Sequence, residues 1–436
     1  MKFIADFHIH SKYSRAVSKD MILEELDRWA DDKGILVMGT GDFTHPAWFR
    51  DLKEKLEPAE PGLYRLKKQY KLKTIKDTYA DTRFILTVEI SGIYGRGGRT
   101  RRIHNLVFAP DLETAEKINI QLSWIGNIAS DGRPILGLDS EELAKIVFTT
   151  NENAVIIPCH AWTPWFSVFG SMSGFNTIEE CFGAYAKNIF AIETGLSSDP
   201  AMNWRLSKLD NIALISNSDS HSLERIGREA NIFDTELSYQ GIMDAIRSRD
   251  PKKFTATIEF FPEEGKYHYD GHRACGVSWS PEDTKKHNKI CAKCGRPVTV
   301  GVMNRVAELS DRPEIKTDYV KIGEVNARHY DNRTPFMNLV TLDEVIGEAL
   351  NLGRATKTVK AEYDRLIKAF GSEFKVLTET SSEELAQTAK PEVVEGIERM
   401  RRGEVRIEPG YDGEFGKIRI FSAADREKIE QQKSLF

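Results

Sequence analysis

The 436-residue sequence has few cysteines, no long apolar run and no excess of positive charge. Five cysteines make a poor disulfide framework in a chain this long, which points to a reducing compartment. No apolar stretch approaches the roughly 18 residues that a membrane helix needs, so no membrane partner is expected. Lys plus Arg number 61 against 66 Asp plus Glu, a formal net charge of −5. That excludes a wholesale basic coat for nucleic acid but not a local basic groove. No internal repeat and no low-complexity tract is present. MKFIADFHIH enters a strand-like segment at once and shows no signal-peptide cleavage pattern, so a cytoplasmic protein is expected. What is there, 40% hydrophobic and 29% charged residues, suffices for two or three folded domains.

Short runs rich in Val, Ile, Leu and Phe fill the first half: KFIADF, ILVMGTG, RFILTVEI, IHNLVF, AVIIPC, IFAIET and IALISNS. They alternate with amphipathic stretches, which predicts an α/β fold on a parallel sheet, closed or open. Helices are expected from about Asp20 to Lys33, over DSEELAKIVF with Asp139 or Ser140 as N-cap, and from near Asp199. Composition shifts after about Phe254. From there to about Pro313 the chain is rich in Gly, His and Cys and reads as a compact insert. Beyond it TLDEVIGEALNLG and TVKAEYDRLIKAFG each end in Gly, a common helix stop, and SSEELAQTA supplies another helix.

The strands of the first half carry metal-type ligands near one end. The first runs into Asp6, His8 and His10; Asp42 and His45 follow the second; Glu89 ends the third; His160 ends the fifth; Glu193 lies on the sixth; Asp219 and His221 follow the seventh. Barrels of parallel strands gather their chemistry at such ends. His104 departs from the pattern, because it opens its apolar run. Histidine and carboxylate without thiolate suit Zn, Mn or Fe(II). His8 and His10, two apart, point the same way from an extended segment. So many ligands exceed the needs of one ion, so two or three divalent ions (Zn, Mn, Mg or Fe) are expected. Clustered ions can activate water and stabilise both oxygens of a phosphate ester under hydrolysis.

DFHIHS, VEI, PCHAW and SDSH resemble the successive motifs of the PHP (polymerase and histidinol phosphatase) domain. The resemblance covers about residues 1–250. It implies a distorted seven-stranded β/α barrel with up to three metal ions at its rim. It also implies metal roles for His8, His10, Glu89, His160, Asp219 and His221, with Asp42, His45, His104 and Glu193 beside them. Glu89, His160 and Asp219 are the catalytic candidates. Many members carry a further His where this chain reads SKYSRA, and TDH where it reads GDFTH.

The insert offers a second, different site. His272 and Cys275 form H-x-x-C, and Cys291 and Cys294 form C-x-x-C. Two hooks of two ligands complete a closed tetrahedral site, as in a zinc ribbon, so one structural zinc is expected. His268 and His287 are rival fourth ligands, while Cys159 and Cys181 read as inert core residues. Arg96, Arg99, Arg101 and Arg102 are expected on a flexible glycine-rich loop just after Glu89, a suitable place to hold a phosphate backbone. Trp162, Trp165 and Phe166, with Phe169 and Phe175, are dense for a loop after His160 and could stack on an extruded base.

DFHIHSKYSRA, CHAWTPWF, SNSDSH, KYHYDGHRACGVS and CAKCGRPVTVGVMNRVAELSDRPE together are similar to the endonuclease Q family, over essentially the whole chain. This resemblance implies four parts: a PHP catalytic domain (1–255), a zinc-binding domain (256–313), a helical DNA-binding domain (314–425) and a tail (426–436). It also implies nicking of DNA 5′ to deaminated bases (uracil, hypoxanthine, xanthine) and at abasic sites. Gln432, Leu435 and Phe436 in the tail are similar to the peptide by which bacterial repair proteins dock on the β sliding clamp, with Lys433 where Leu is usual. A bacterial nucleoid location follows from that likeness. Two other readings fit parts of the sequence: a PHP phosphatase acting on a small phosphate ester, and a non-enzymatic DNA or clamp adaptor.

Overall fold

The computed structural model describes residues 1–422 and 424–426. Gln432, Leu435 and Phe436, the expected clamp-binding residues, lie outside the described residues. All seven apolar runs form strands: β1 (Lys2–Asp6), β2 (Val37–Gly39), β3 (Arg83–Arg96), β4 (Arg99–Ala109), β5 (Val155–Pro158), β6 (Ala191–Glu193) and β7 (Ala213–Ile215). Five more follow: β8 (Ala230–Asp234), β9 (Phe254–Glu259), β10 (Asp318–Ile322), β11 (Val325–His329) and β12 (Phe336–Asn338). The main sheet, of 13 strands, runs β10-β11-β12-β9-β8-β1-β2-β3 and ends on two short strands at 64–66 and 56–58; β4 joins β3 to β5, and a two-residue strand at 135–136 pairs with β3. Its core includes stacked rings, with Phe233 centred 5.5 Å from Phe3 and 5.0 Å from Phe254.

The sheet is mixed, where the sequence pattern predicts a parallel one. β1–β2 and β2–β3 are parallel, but β3–β4, β4–β5 and β1–β8 are antiparallel. Gly97 and Gly98 are the reason for the first reversal. With φ of +61° and +72° they make the left-handed turn of a tight hairpin, which side chains with a Cβ resist. The arginine segment is therefore the tip of a hairpin paired from Leu86↔Ala109 to Arg96↔Arg99, not a flexible loop. The same reversal places His104 mid-strand, opposite Ser91. β6 and β7 pair in parallel with each other and with no other strand among the described residues. The fold of the described residues is mixed α/β built on one large sheet.

Helices pack against this sheet: α1 (Leu23–Lys33), α2 (Pro46–Lys55), α3 (Leu112–Ser123), α4 (Ser140–Thr150) and α5 (Tyr239–Ser248). Asp139 caps α4, accepting from the N–H groups of Glu141 and Glu142, and Asp199 caps a short helix at Met202. The stretch expected to open the helical part instead forms β10–β12 and extends the main sheet. Helices follow it: α6 (Leu342–Leu350), α7 (Lys357–Phe370), α8 (Glu373–Thr378), α9 (Ser382–Ala386) and α10 (Pro391–Arg402). They are tied back to α1 by a buried ion pair, Lys33 Nζ to Glu373 Oε2 at 2.9 Å. Glu373 also accepts from the Tyr363 hydroxyl (2.8 Å) and the Leu342 N–H (3.1 Å), so every oxygen of the pair is satisfied. No helix among the described residues is long and apolar enough to cross a membrane.

Candidate metal centre

His8 and His10 leave the end of β1 on one side of an extended backbone, with ring centroids 5.4 Å apart, while Phe7 and Ile9 turn into the core. Both imidazoles are fully buried. Glu89 Oε2 lies 3.6 Å from His8 Nε2 and 3.2 Å from His10 Nε2. Asp219 Oδ1 lies 3.6 Å and 3.1 Å from the same nitrogens. These four residues gather ligand atoms within 4.8 Å of one another. Glu89, His104 and His160 form a second such group. There the other oxygen, Oε1, faces His104 Nδ1 and sits 3.2 Å from His160 Nε2. Glu89 therefore offers one oxygen to each group, the arrangement of a bridging carboxylate.

The donors fit divalent ions. His8 Nε2 is buried without a hydrogen-bond partner, an arrangement that native proteins avoid unless another ligand is served. Its Nδ1 lies 3.1 Å from both oxygens of Glu193, which fixes the tautomer that frees Nε2. His10 is oriented likewise, Nδ1 lying 3.1 Å from Asp42 Oδ1. Asp42 Oδ2 in turn accepts from Ser11 N–H (2.7 Å), Ser11 Oγ (2.7 Å) and Ser14 Oγ (2.9 Å). Asp42 and Glu193, expected among the ligands, thus stand behind the histidines and hold them. Glu193 does gather with His8 and Cys159. But it accepts from Asn217 Nδ2 and the His160 N–H, and burial pushes the Cys159 thiol pKa well up, which keeps it a poor ligand.

Two other expected ligands fall outside both groups, though His221 borders the first, its ring centred 4.7 Å from that of His10 and its Nδ1 3.7 Å from Asp219 Oδ1. His45 stacks on Tyr13, centroids 4.3 Å apart, at the start of α2. His221, a third exposed, directs Nδ1 at the carbonyl of Asp219 (2.9 Å). Three residues of the centre hold left-handed φ without being glycine: Asp42 (+51°), His160 (+29°) and Asp219 (+45°). Such strain is found where surrounding structure over-determines a functional geometry. At His160 the neighbour must give way as well, because a Cβ on Gly195 would lie 2.5 Å from the His160 Cβ.

The electrostatics separate the residues. Burial opposes charge on His8, but Glu193 and Asp219 outweigh it and lift its pKa well above the usual value. Burial would raise Asp219, yet His10 and His8 pull its pKa down and keep it ionised. Burial lowers His104 to about 4, so its imidazole is neutral, the form that ligates metal. Arg133, absent from the sequence reading, donates Nη1 to Glu89 Oε2 at 3.0 Å. It comes from a polar loop with no motif, so only its place in the fold reveals it.

The expected DNA contacts divide. Trp162 is fully buried, donates Nε1–H to Asn203 Oδ1 at 2.7 Å and packs on Phe169, so it is a core residue and cannot meet a base. Arg96 is committed to Asp139 (3.3 Å), Glu141 (3.1 Å) and the Cys181 carbonyl, which fastens the hairpin to α4. Arg101 lies over Phe175 and donates to the Gly174 carbonyl. Arg99 is exposed at the hairpin tip, and Arg102 is half-buried. Trp165 and Phe166 are half-buried; Phe166 lies 4.6 Å from the His104 ring and Trp165 meets Tyr267 edge-on. In the insert His272, Cys275, Cys291 and Cys294 gather their ligand atoms within 4.8 Å, a set that suits tetrahedral zinc. The rivals are elsewhere: His268 is buried apart from this group, and His287 stacks on Trp279.

Residues 341–404 match the family model of the MJ0043 C-terminal domain. The protein MJ0043 of Methanocaldococcus jannaschii is 34% identical over 267 residues, which cover 59% of this chain and 31% of that relative's length. Two solved structures align over nearly everything. The lesion-specific endonuclease PfuEndoQ of Pyrococcus furiosus is 31% identical with a TM-score of 0.82, over 100% of this chain and 99% of that one. An endonuclease Q in complex with a 27-mer duplex substrate, an abasic lesion at its active site, is 30% identical with a TM-score of 0.81, over 99% and 100%. Fold, site and likeness define a metal-dependent DNA endonuclease. Within that class the chain belongs to the endonuclease Q family.

Proposed function

We propose that the chain is a repair enzyme that hydrolyses the phosphodiester 5′ to uracil, hypoxanthine or xanthine, and at abasic sites, leaving a 3′-hydroxyl and a 5′-phosphate. The observation that carries this reading is Glu89, with one oxygen in each of two histidine–carboxylate groups. The abasic duplex bound by the solved endonuclease Q supports the substrate class. His8, His10, Glu89 and Asp219 would hold one divalent ion and Glu89, His104 and His160 another, with His221 and His45 at the edge for a third; Zn, Mn, Mg and Fe all suit these donors. Such ions, when bound, supply an acidified water and neutralise charge on the phosphate. The chain's own residues do the rest. Glu193 and Asp42 fix the histidine tautomers, and Asp219 stays ionised at neutral pH.

Arg99, Arg101 and Arg102 on the hairpin would guide the backbone. A flipped base would enter beside Trp165 and Phe166, the latter with its ring 4.6 Å from that of His104. His272, Cys275, Cys291 and Cys294 would hold a structural zinc that shapes the insert (256–313). The insert and the C-terminal part (314–425) would clamp the duplex against the catalytic part (1–255). The tail (426–436) would dock Gln432, Leu435 and Phe436 on a β sliding clamp, in the bacterial cytoplasm at the nucleoid. Labelled duplexes carrying uracil, hypoxanthine or an abasic site, incubated with and without Mg²⁺ or Mn²⁺, test the reaction. A metal-dependent nick 5′ to the lesion is expected. Hydrolysis of small phosphomonoesters with no nicking would replace this reading with a small-ester phosphatase.

A further inference from the structure

The Arg133 guanidinium donates Nη1 to Glu89 Oε2 at 3.0 Å, and among the described residues its Nε and Nη2 make no hydrogen bond. Its side chain is 25% exposed, so the unused edge of the guanidinium is reachable from outside. The backbone that carries it is held on all sides. Arg133 N–H donates to Asp131 Oδ1 (3.1 Å), Gly132 N–H to the Tyr13 carbonyl (3.1 Å), and Ser91 N–H to the Pro134 carbonyl (3.1 Å). A Cβ on Gly132 would lie 2.2 Å from Asp42 Oδ2, so this loop is pressed against the carboxylate that orients His10. Asp131 Oδ1 also accepts from the Arg15 N–H (3.2 Å), and its Oδ2 lies 3.9 Å from Arg15 Nε. The Arg15 side chain is 81% exposed. One buried carboxylate, 8% exposed, thus fixes two arginines from two loops: one beside Glu89, one facing solvent at the same rim.

We infer that Arg15 and Arg133 form a phosphate clamp for the DNA backbone, a site distinct from the hairpin arginines and organised by Asp131. Arg133 takes the phosphate that is cut, because its fork borders Glu89, and its planar donors match two phosphate oxygens at once. Arg15 takes a neighbouring phosphate on the same strand. The inference rests on the proposed DNA substrate. Duplex binding of the full chain is measured in an Asp219→Ala background across a KCl series, with an abasic-site duplex as probe. Each phosphate contact adds about one to the slope of log K against log salt.

Arg15→Gln and Arg133→Gln are each expected to lower that slope by about one, and the double variant by about two, with bound metal at the parental ratio by elemental analysis. Arg133→Lys, with Asp219 intact, keeps the charge but loses the fork, and its single-turnover nicking should fall about 100-fold with the slope preserved. Parental slopes in both Gln variants overturn the clamp, as does loss of metal from Arg133→Gln with the slope unchanged. Arg15 is exposed enough for its variant to fold, so its slope decides even where Arg133→Gln does not. A wild-type chain that neither binds nor nicks the duplex overturns the proposed function instead.

Discussion

Asp219 shows how far a residue's role follows from its surroundings. It is ionised, strained at φ +45° and shared by His8 and His10, while the carboxylates of Asp42 and Glu193 are spent on holding imidazoles. Asp219→Ala should abolish nicking of a uracil duplex and leave duplex binding largely intact; full activity would remove Asp219 from the centre. Histidine spacing made His8 and His10 legible in the sequence, but residue type does not separate a ligand from its support. Nor did aromatic density separate Trp162 in the core from Phe166 beside His104. His268 gives a prediction of another kind. Burial lowers its pKa to about 4, against about 6.5 in an unfolded chain. Between those values the unfolded state binds the extra proton, so stability is full above pH 6.5 and falls as pH drops toward 4. The loss should reach about 2–3 kcal/mol, and His268→Gln should flatten that part of the stability–pH curve measured by denaturant unfolding.

At the scale of elements, the seven apolar runs were legible because burial writes itself into composition. Strand direction was not, since a buried strand reads alike in either sense. The one local clue was Gly97–Gly98, a hairpin signal lodged among arginines that drew attention to charge instead. Gly97→Val would force a β-branched residue into the left-handed region, at a cost of about 1–3 kcal/mol. The variant should show a lower unfolding midpoint in denaturant. Because β4 hangs from this turn and carries His104 to Glu89, weaker metal retention should accompany it. A midpoint equal to that of the parent would mean the turn does not set the hairpin. β10–β12 went unread because they are only three to five residues long, too short for an apolar pattern to show, so pairing fixes the conformation.

Over the whole molecule, a net charge of −5 coexists with a DNA partner because binding answers to local rather than net charge, and part of the acid is turned inward, as Asp42, Glu89 and Glu193 are at the centre. Shifts in composition suggested an order of parts along the chain, but no attachment between them could be read, because Lys33 and Glu373 are 340 residues apart. Glu373→Gln should destabilise the chain by about 3 kcal/mol, since it leaves the Lys33 ammonium buried without its counter-charge. Calorimetry should then show the catalytic part and the C-terminal helices still melting together, at a lower temperature. Two separate transitions in the parent protein would contradict that coupling. The same pair bears on descent. The helices matched as a unit over residues 341–404 could be copied between genes as a cassette, but a catalytic half parted from them would inherit an α1 ending in a charge with no partner. Shedding or exchanging the cassette would require a compensating change at Lys33, so lineages that lost the helices should be found with an apolar residue at that position.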